Sequence, residues 1–188
     1  MRKTIILASS SPRRAELLKK VVRKFKIIPS KVDEANIPAP SPKSFCIKAA
    51  LAKAKDIAEK HKNAVVIGAD TIIALGKKII GKPKNKRDAV RILKSLAGRT
   101  HQVITGLAVV DSNSSKTLTA YEVTRVKMKK VKAGEIKEYV ESGRPLDKAG
   151  AYGIQEIEDI FIEKIDGDYD NVVGLPVRAL KKLLRRIN

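Results

Sequence analysis

Thr4-Ile5-Ile6-Leu7-Ala8-Ser9-Ser10-Ser11-Pro12-Arg13-Arg14-Ala15-Glu16-Leu17-Leu18 is an apolar run that halts at three serines and restarts at helical spacing. The run from Thr4 to Ala8 is about five residues long, short of the ~7–15 of a signal-peptide core, and reads as a first buried strand. Ser11 supplies an N-cap and Pro12 takes the favoured first helical position, so a helix continues over Ala15 to Val22. The turn between them gathers serine hydroxyls, the free N–H groups and partial positive charge of a helix start, and the fork donors of Arg13 and Arg14. All of these favour a phosphate. Taken alone, the same residues also describe an ordinary capped helix with two surface arginines.

Outward from this turn, period and punctuation predict the remaining elements. A short strand covers Lys26 to Ile28, and the proline-rich Val32 to Pro42 is a loop. A long helix spans Lys43 to Lys60. Ala64 to Ile67 is an apolar strand that breaks at Gly68-Ala69-Asp70-Thr71 and resumes over Ile72 to Leu75, followed by a hairpin turn at Gly76-Lys77-Lys78. Asn85 caps a helix over Arg87 to Ala97, closed by Gly98. Gln102 to Val110 and Leu118 to Met128 form an antiparallel hairpin. A helix over Ala133 to Glu141, a strand over Ile157 to Ile165 and an amphipathic helix over Leu175 to Arg186 complete the chain. Helices alternating with strands, some of them paired as hairpins, predict an α/β fold with a mixed parallel and antiparallel twisted sheet and flanking helices. With 188 residues and no linker, the expected organisation is one domain over residues 1–188, with two lobes sharing one core.

The composition, 43% hydrophobic and 32% charged, is that of a globular protein. No apolar run approaches the ~20 residues of a membrane span, which argues against a membrane partner. The single cysteine, Cys46, excludes an intrachain disulfide and a cysteine-based zinc site, and predicts a reducing, cytoplasmic setting. A net charge of +20 would attract any polyanion. Its even spread, with aromatics at 4% and no Trp, argues against a nucleic-acid partner.

Several residues carry candidate chemistry. Asp70 places a carboxylate at a strand end, where a buried charge needs a partner or a metal. It could hold a divalent ion or accept a proton from water; an ordinary turn aspartate is the alternative. Glu34, beside Asp33 in a polar loop, could add a second carboxylate. Lys53 stands mid-helix among Ala49, Ala50, Ala52 and Ala54, and Lys82 is held beside Pro83. Asp147 to Gln155 is a small-residue loop that suits base recognition or a tight connection.

Together these motifs resemble the Maf family of nucleotide pyrophosphatases: Ala8 to Arg14, Asp33-Glu34, Lys53-Ala54, Gly68-Ala69-Asp70-Thr71, Gly81-Lys82-Pro83, Asp147 to Gln155 and Val173-Gly174-Leu175-Pro176, in family order. Gly-Ala-Asp-Thr, Thr100-His101-Gln102-Val103 and the Tyr-Gly-Ile-Gln ending at Gln155 resemble the branch acting on dTTP and UTP. The resemblance implies a cleft between two lobes, a divalent cofactor (Mg²⁺ or Mn²⁺), a nucleoside triphosphate substrate and a homodimer. It implies Asp70 as proton acceptor and metal ligand with Glu34. Arg13, Thr71 and Gln155 would set base preference, with Ser9, Arg14, Lys53 and Lys82 as other members of the site. Of the two arginines, Arg14 is the expected phosphate clamp. Glu156 departs from the family pattern, which usually has Gly there, so the segment after Gln155 is expected to bend differently. Three rival functions remain at this point: a basic nucleic-acid-binding protein, a non-enzymatic cell-division regulator and an inosine-triphosphate pyrophosphatase.

Overall fold

The structure is a computed structural model that describes residues 3–34 and 37–187. Met1, Arg2, two positions of the loop expected over Val32 to Pro42, and the last residue of the expected single domain lie outside the described residues.

Among the described residues the elements run β1 (Thr4–Leu7), α1 (Pro12–Lys19), β2 (Lys26–Ile27), α2 (Pro42–Ala58), β3 (Ala64–Leu75), β4 (Lys78–Ile80), α3 (Lys86–Leu96), β5 (Thr100–Asp111), β6 (Thr117–Met128), α4 (Ala133–Glu141), α5 (Ile154–Phe161), β7 (Ile162–Asp166), α6 (Tyr169–Val173) and α7 (Val177–Ile187). The strands form one sheet in the order β2-β1-β3-β5-β6-β7, with β4 pairing β3. β1 runs parallel to both β2 and β3, whereas β3–β4 and β6–β7 are antiparallel. The sheet is mixed, as the sequence predicts.

Two compact units divide the chain: 1–71 with 105–122 and 174–188, and 72–104 with 123–173. In the first unit, α1 and α2 start with one device. Ser11 and Ser41 each precede a proline and accept the backbone N–H three residues on, from Arg14 and Ser44. The cap at Ser41 draws Pro42 out of the expected loop and into the helix. Ile6, Ala8, Ala64, Val66, Ala108 and Val110 line one sheet face in the strand period of two, and α2 covers them with Ala50, Ala54, Ile57 and Ala58. Small residues let the helix lie directly on the strands: a Cβ at Gly68 would stand 2.1 Å from the Ala50 carbonyl oxygen, and one at Gly106 would stand 2.2 Å from that of Cys46.

In the second unit, Gly76-Lys77 turns β3 into β4, with Leu75 paired to Lys78. Of the expected small-residue loop over Asp147 to Gln155, Asp147 ends one 3₁₀ turn (Arg144–Asp147), Ala149–Ala151 form a second, and Ile154 and Gln155 already belong to α5. The strand expected over Ile157 to Ile165 is corrected to a helix followed by a strand. Ile154, Ile157 and Phe161 are buried at helical spacing while Ile160 is exposed, so the helical period prevails until Ile162. His101 is 1% exposed on β5, and its Nε2 shares a 2.7 Å hydrogen bond with the Tyr152 hydroxyl.

Two measurements test this account. Gly106→Ala should lower unfolding free energy by about 2–3 kcal/mol, read from a denaturant midpoint, because the clashing atom is backbone and cannot rotate away; an unchanged midpoint would refute the close approach. Burial lowers the His101 pKa to about 4, whereas the unfolded imidazole titrates near ~6.5. The unfolded chain therefore takes up the proton first, and stability falls as pH drops through that window. Between pH 7.5 and 5 the loss attributable to His101 should be about 2 kcal/mol, and His101→Gln should remove it.

Candidate active site

The parallel register of β1 on β3, Leu7 opposite Ile67, brings the end of β1 beside Gly68 to Asp70. Ala8 N–H continues the ladder to the Ile67 carbonyl at 2.8 Å. The serine turn and the carboxylate are thus neighbours because of strand pairing, although Asp70 follows Ser11 by 59 positions in the sequence.

Asp70 is 4% exposed in the middle of β3. The expected break at Gly68 to Thr71 is corrected: the strand is continuous, because the charge at Asp70 is met in place. Lys53 Nζ lies 2.7 Å from Asp70 Oδ1 and 2.6 Å from Glu34 Oε1, so one ammonium bridges both carboxylates. Lys53 follows Ala50 by three residues on α2, and the close seating of Ala50 and Ala54 on Gly68 is what lets its stem reach β3. Asp70 Oδ2 is buried and accepts no hydrogen bond from the described residues. One oxygen of this carboxylate is tied down and the other has no hydrogen-bond partner among the described residues.

Arg14 builds the second half of the site. Its Nε donates to the Gly174 carbonyl at 2.9 Å, Nη1 to Ser9 Oγ at 3.3 Å and Nη2 to Thr71 Oγ1 at 3.0 Å. Ser9 Oγ also accepts the Ser11 N–H at 3.2 Å, which folds the turn over the arginine. Thr71 Oγ1 shares a 2.9 Å hydrogen bond with Thr105 Oγ1. Burial lowers the Arg14 pKa, while the charges of Asp70 and Glu34 raise it; it starts from so high a value that the guanidinium stays protonated. Arg13, half-buried in the first turn of α1, makes no hydrogen bond or ion pair among the described residues.

Ser9, Arg13, Arg14, Glu34, Lys53, Asp70 and Thr71 therefore all belong to the first unit, and bonds join six of them in two groups around adjacent β3 residues. Lys82 and Gln155 belong to the second unit, Lys82 exposed between β4 and α3 and Gln155 exposed in the first turn of α5. Thr105 and Gly174 were not among the expected site residues. Thr105 had a readable signal, a lone hydroxyl in the apolar run Val103 to Val110. Gly174 has φ +125°, a conformation side chains rarely adopt, and its carbonyl's aim at Arg14 has no signature in sequence.

Known proteins resemble this chain in sequence and in fold. The Maf family, described as "Maf-like protein", matches residues 4–187. A dTTP/UTP pyrophosphatase of Dictyoglomus turgidum is 48% identical over 187 residues, covering 99% of this chain and 97% of that protein. One of Alkaliphilus metalliredigens is 49% identical over 183 residues, covering 97% and 95%. A HAM1 protein from Coxiella burnetii shares the fold alone, with a TM-score of 0.54 at 16% identity over 98% of this chain and 99% of that one. Sequence likeness at that level over nearly the whole length establishes that this chain belongs to the Maf family.

Proposed function

We propose that the chain is a cytoplasmic, metal-dependent nucleoside triphosphate pyrophosphatase that converts dTTP and UTP to the monophosphate and pyrophosphate, acting as a homodimer. The observation that carries this reading is Asp70, a buried carboxylate with one oxygen ion-paired to Lys53 and the other unpartnered. Relatives named dTTP/UTP pyrophosphatase at 48–49% identity supply the substrate. No helix among the described residues is long and apolar enough to cross a membrane, and the buried Cys46 forms no disulfide, which supports a reducing compartment.

Asp70 Oδ2 accepts a proton from a water that attacks the α-phosphorus. The bond from that phosphorus to the α,β-bridging oxygen breaks, and its electron pair leaves with pyrophosphate. Lys53 ion-pairs with Asp70 Oδ1 and so fixes the direction of Oδ2. Among the described residues no group of three or more His, Cys, Asp or Glu is placed to hold a metal ion; the two carboxylates Asp70 and Glu34 would hold Mg²⁺ or Mn²⁺, hard cations that take oxygen ligands. When bound, the divalent ion lowers the pKa of a water and offsets phosphate charge. Arg13, unbonded among the described residues, offers its guanidinium to the triphosphate, Arg14 clamps it with its remaining donors while shaping the turn, and Lys82 adds a further cation. Thr71 and Gln155, with Arg13, discriminate the base: a site that hydrogen-bonds the pyrimidine edge rejects other bases by leaving those groups unpaired.

The test is pyrophosphate release from dTTP, UTP, CTP, ITP and 7-methyl-GTP in the presence of Mg²⁺ or Mn²⁺. dTTP and UTP should exceed the others in kcat/KM by at least about tenfold. Asp70→Asn, close in size, should lower kcat by about a thousandfold while the circular dichroism spectrum is retained. Near-normal turnover of dTTP by Asp70→Asn would remove the general-base assignment, and preference for ITP or 7-methyl-GTP would remove the substrate.

A further inference from the structure

Helix α5 starts with an unusual cap. Gly153 stands at its N-cap position with no capping side chain, followed by Ile154, Gln155 and Glu156. In α4 the acid three residues after the cap closes the turn directly, Glu135 accepting the Lys132 N–H at 2.8 Å. In α5 the corresponding acid is Glu156, and a third group stands between it and the cap. The Tyr139 hydroxyl, from α4, accepts the Gly153 N–H at 3.3 Å and donates to Glu156 Oε2 at 2.6 Å. It does for Gly153 what the acid's own oxygen does in α4.

The relay is held on all sides. Tyr139 is buried, its ring packs edge-on against Phe161 at 5.7 Å between centroids, and the Arg144 guanidinium lies 5.3 Å from the ring centre. Lys148, also buried, places its Nζ 3.2 Å from Glu156 Oε1 and so anchors the second oxygen. Burial, reinforced by the bond to Glu156, holds the Tyr139 hydroxyl above the ordinary tyrosine range, so it remains a donor at neutral pH. Gly153 leaves the necessary room: a Cβ there would stand 2.9 Å from Lys148 Cε and 3.1 Å from Glu156 Cδ. Between the two ends of the relay lies Gln155, exposed and without a hydrogen bond to any described residue. With no side-chain hydrogen bond to the described residues, Gln155 takes its direction from the backbone of this first turn.

We infer that Tyr139 and Glu156 are positioning residues for base recognition: they form a capping box relayed through a tyrosine hydroxyl, which fixes the α5 first turn and thereby aims the Gln155 amide at a pyrimidine edge. The inference rests on the reading of Gln155 as a base contact. Glu156 thus stiffens the segment that carries Gln155, where the sequence predicted a differently bent loop.

The experiment measures kcat and KM for dTTP, UTP and CTP in Tyr139→Phe, Glu156→Gln, Gln155→Ala and the double variant Tyr139→Phe/Gln155→Ala, with amide exchange at Gly153 followed alongside. Tyr139→Phe keeps the ring packing and removes only the relay. It should raise KM for dTTP and UTP about fivefold, the worth of one hydrogen bond, lower the dTTP-over-CTP ratio and speed Gly153 exchange. Glu156→Gln should act in the same direction, and the double variant should be no less selective than Gln155→Ala. Unchanged selectivity in Gln155→Ala would overturn the base-contact reading itself. Selectivity lost in Gln155→Ala but kept in both relay variants, or additive losses in the double variant, would overturn the relay while leaving that reading intact.

Discussion

The ion pair between Lys53 and Asp70 sets the terms for the rest of the first unit. A carboxylate inside a strand buried on both faces is tolerated only when a cation reaches it, and removing one partner of such a pair costs about 3–5 kcal/mol. Asp70 therefore requires α2 at a fixed height and rotation. Glycines 68 and 106, facing the Ala50 and Cys46 carbonyls, provide that height, and Ala50, Ala54 and Ile57 on the sheet-facing side of α2 provide the rotation. A bulkier interface would hold the helix further from the sheet and strand the carboxylate without its ammonium. Packing in this region thus serves electrostatics, and the small residues that weaken the hydrophobic contact are the condition for the charge.

Arg14 plays a comparable role one residue along β3. Its donors bind a serine hydroxyl from the turn, a threonine hydroxyl from β3 and the carbonyl of Gly174 ahead of α7. Segments far apart in the chain converge on one planar fork, whose rigid geometry suits such three-way bonding better than a lysine would. Thr105 extends the set through Thr71. The groups expected to touch substrate are consequently oriented by bonds among themselves, and the two carboxylates by one shared lysine.

How much of this could be read from the sequence follows from the range of each interaction. The Ser11-Pro12 and Asn85 caps and the Gly76-Lys77 turn were legible because their causes lie within a few residues, and the mixed sheet because helices alternate with hairpin-forming strands along the chain. The candidate residues of the site were legible through the family resemblance, with the structure joining most of those in the first unit by direct bonds. The continuity of β3 through Asp70 was not legible, since the compensating charge comes from 17 residues earlier. The stretch after Gln155 misled because Ile157-Glu158-Asp159-Ile160-Phe161-Ile162 fits neither period cleanly; burial of Ile157 and Phe161 with Ile160 outside decides it. Tyr139 gave no sign at all of its relay to Gly153 and Glu156, because a hydroxyl aimed across two helices has no sequence period.

Charge balance ties the site to the bulk composition. Arg14 and Lys53 carry two positive charges and Asp70 and Glu34 two negative ones, so the bonded cluster is close to neutral. Among the described residues, Arg13 is the one expected cation of the first unit with no hydrogen bond or ion pair that a triphosphate would meet. Neutrality keeps the buried groups stable without ligand, and it leaves most of the substrate's charge to be met by other means. In the proposed reaction a divalent ion meets part of it at the carboxylates. The net charge of +20 acts at longer range: spread along the chain rather than concentrated at the cluster, it raises the local concentration of a polyanionic substrate. Binding and chemistry then draw on different cations, and the cations that orient Asp70 are spared from screening the substrate.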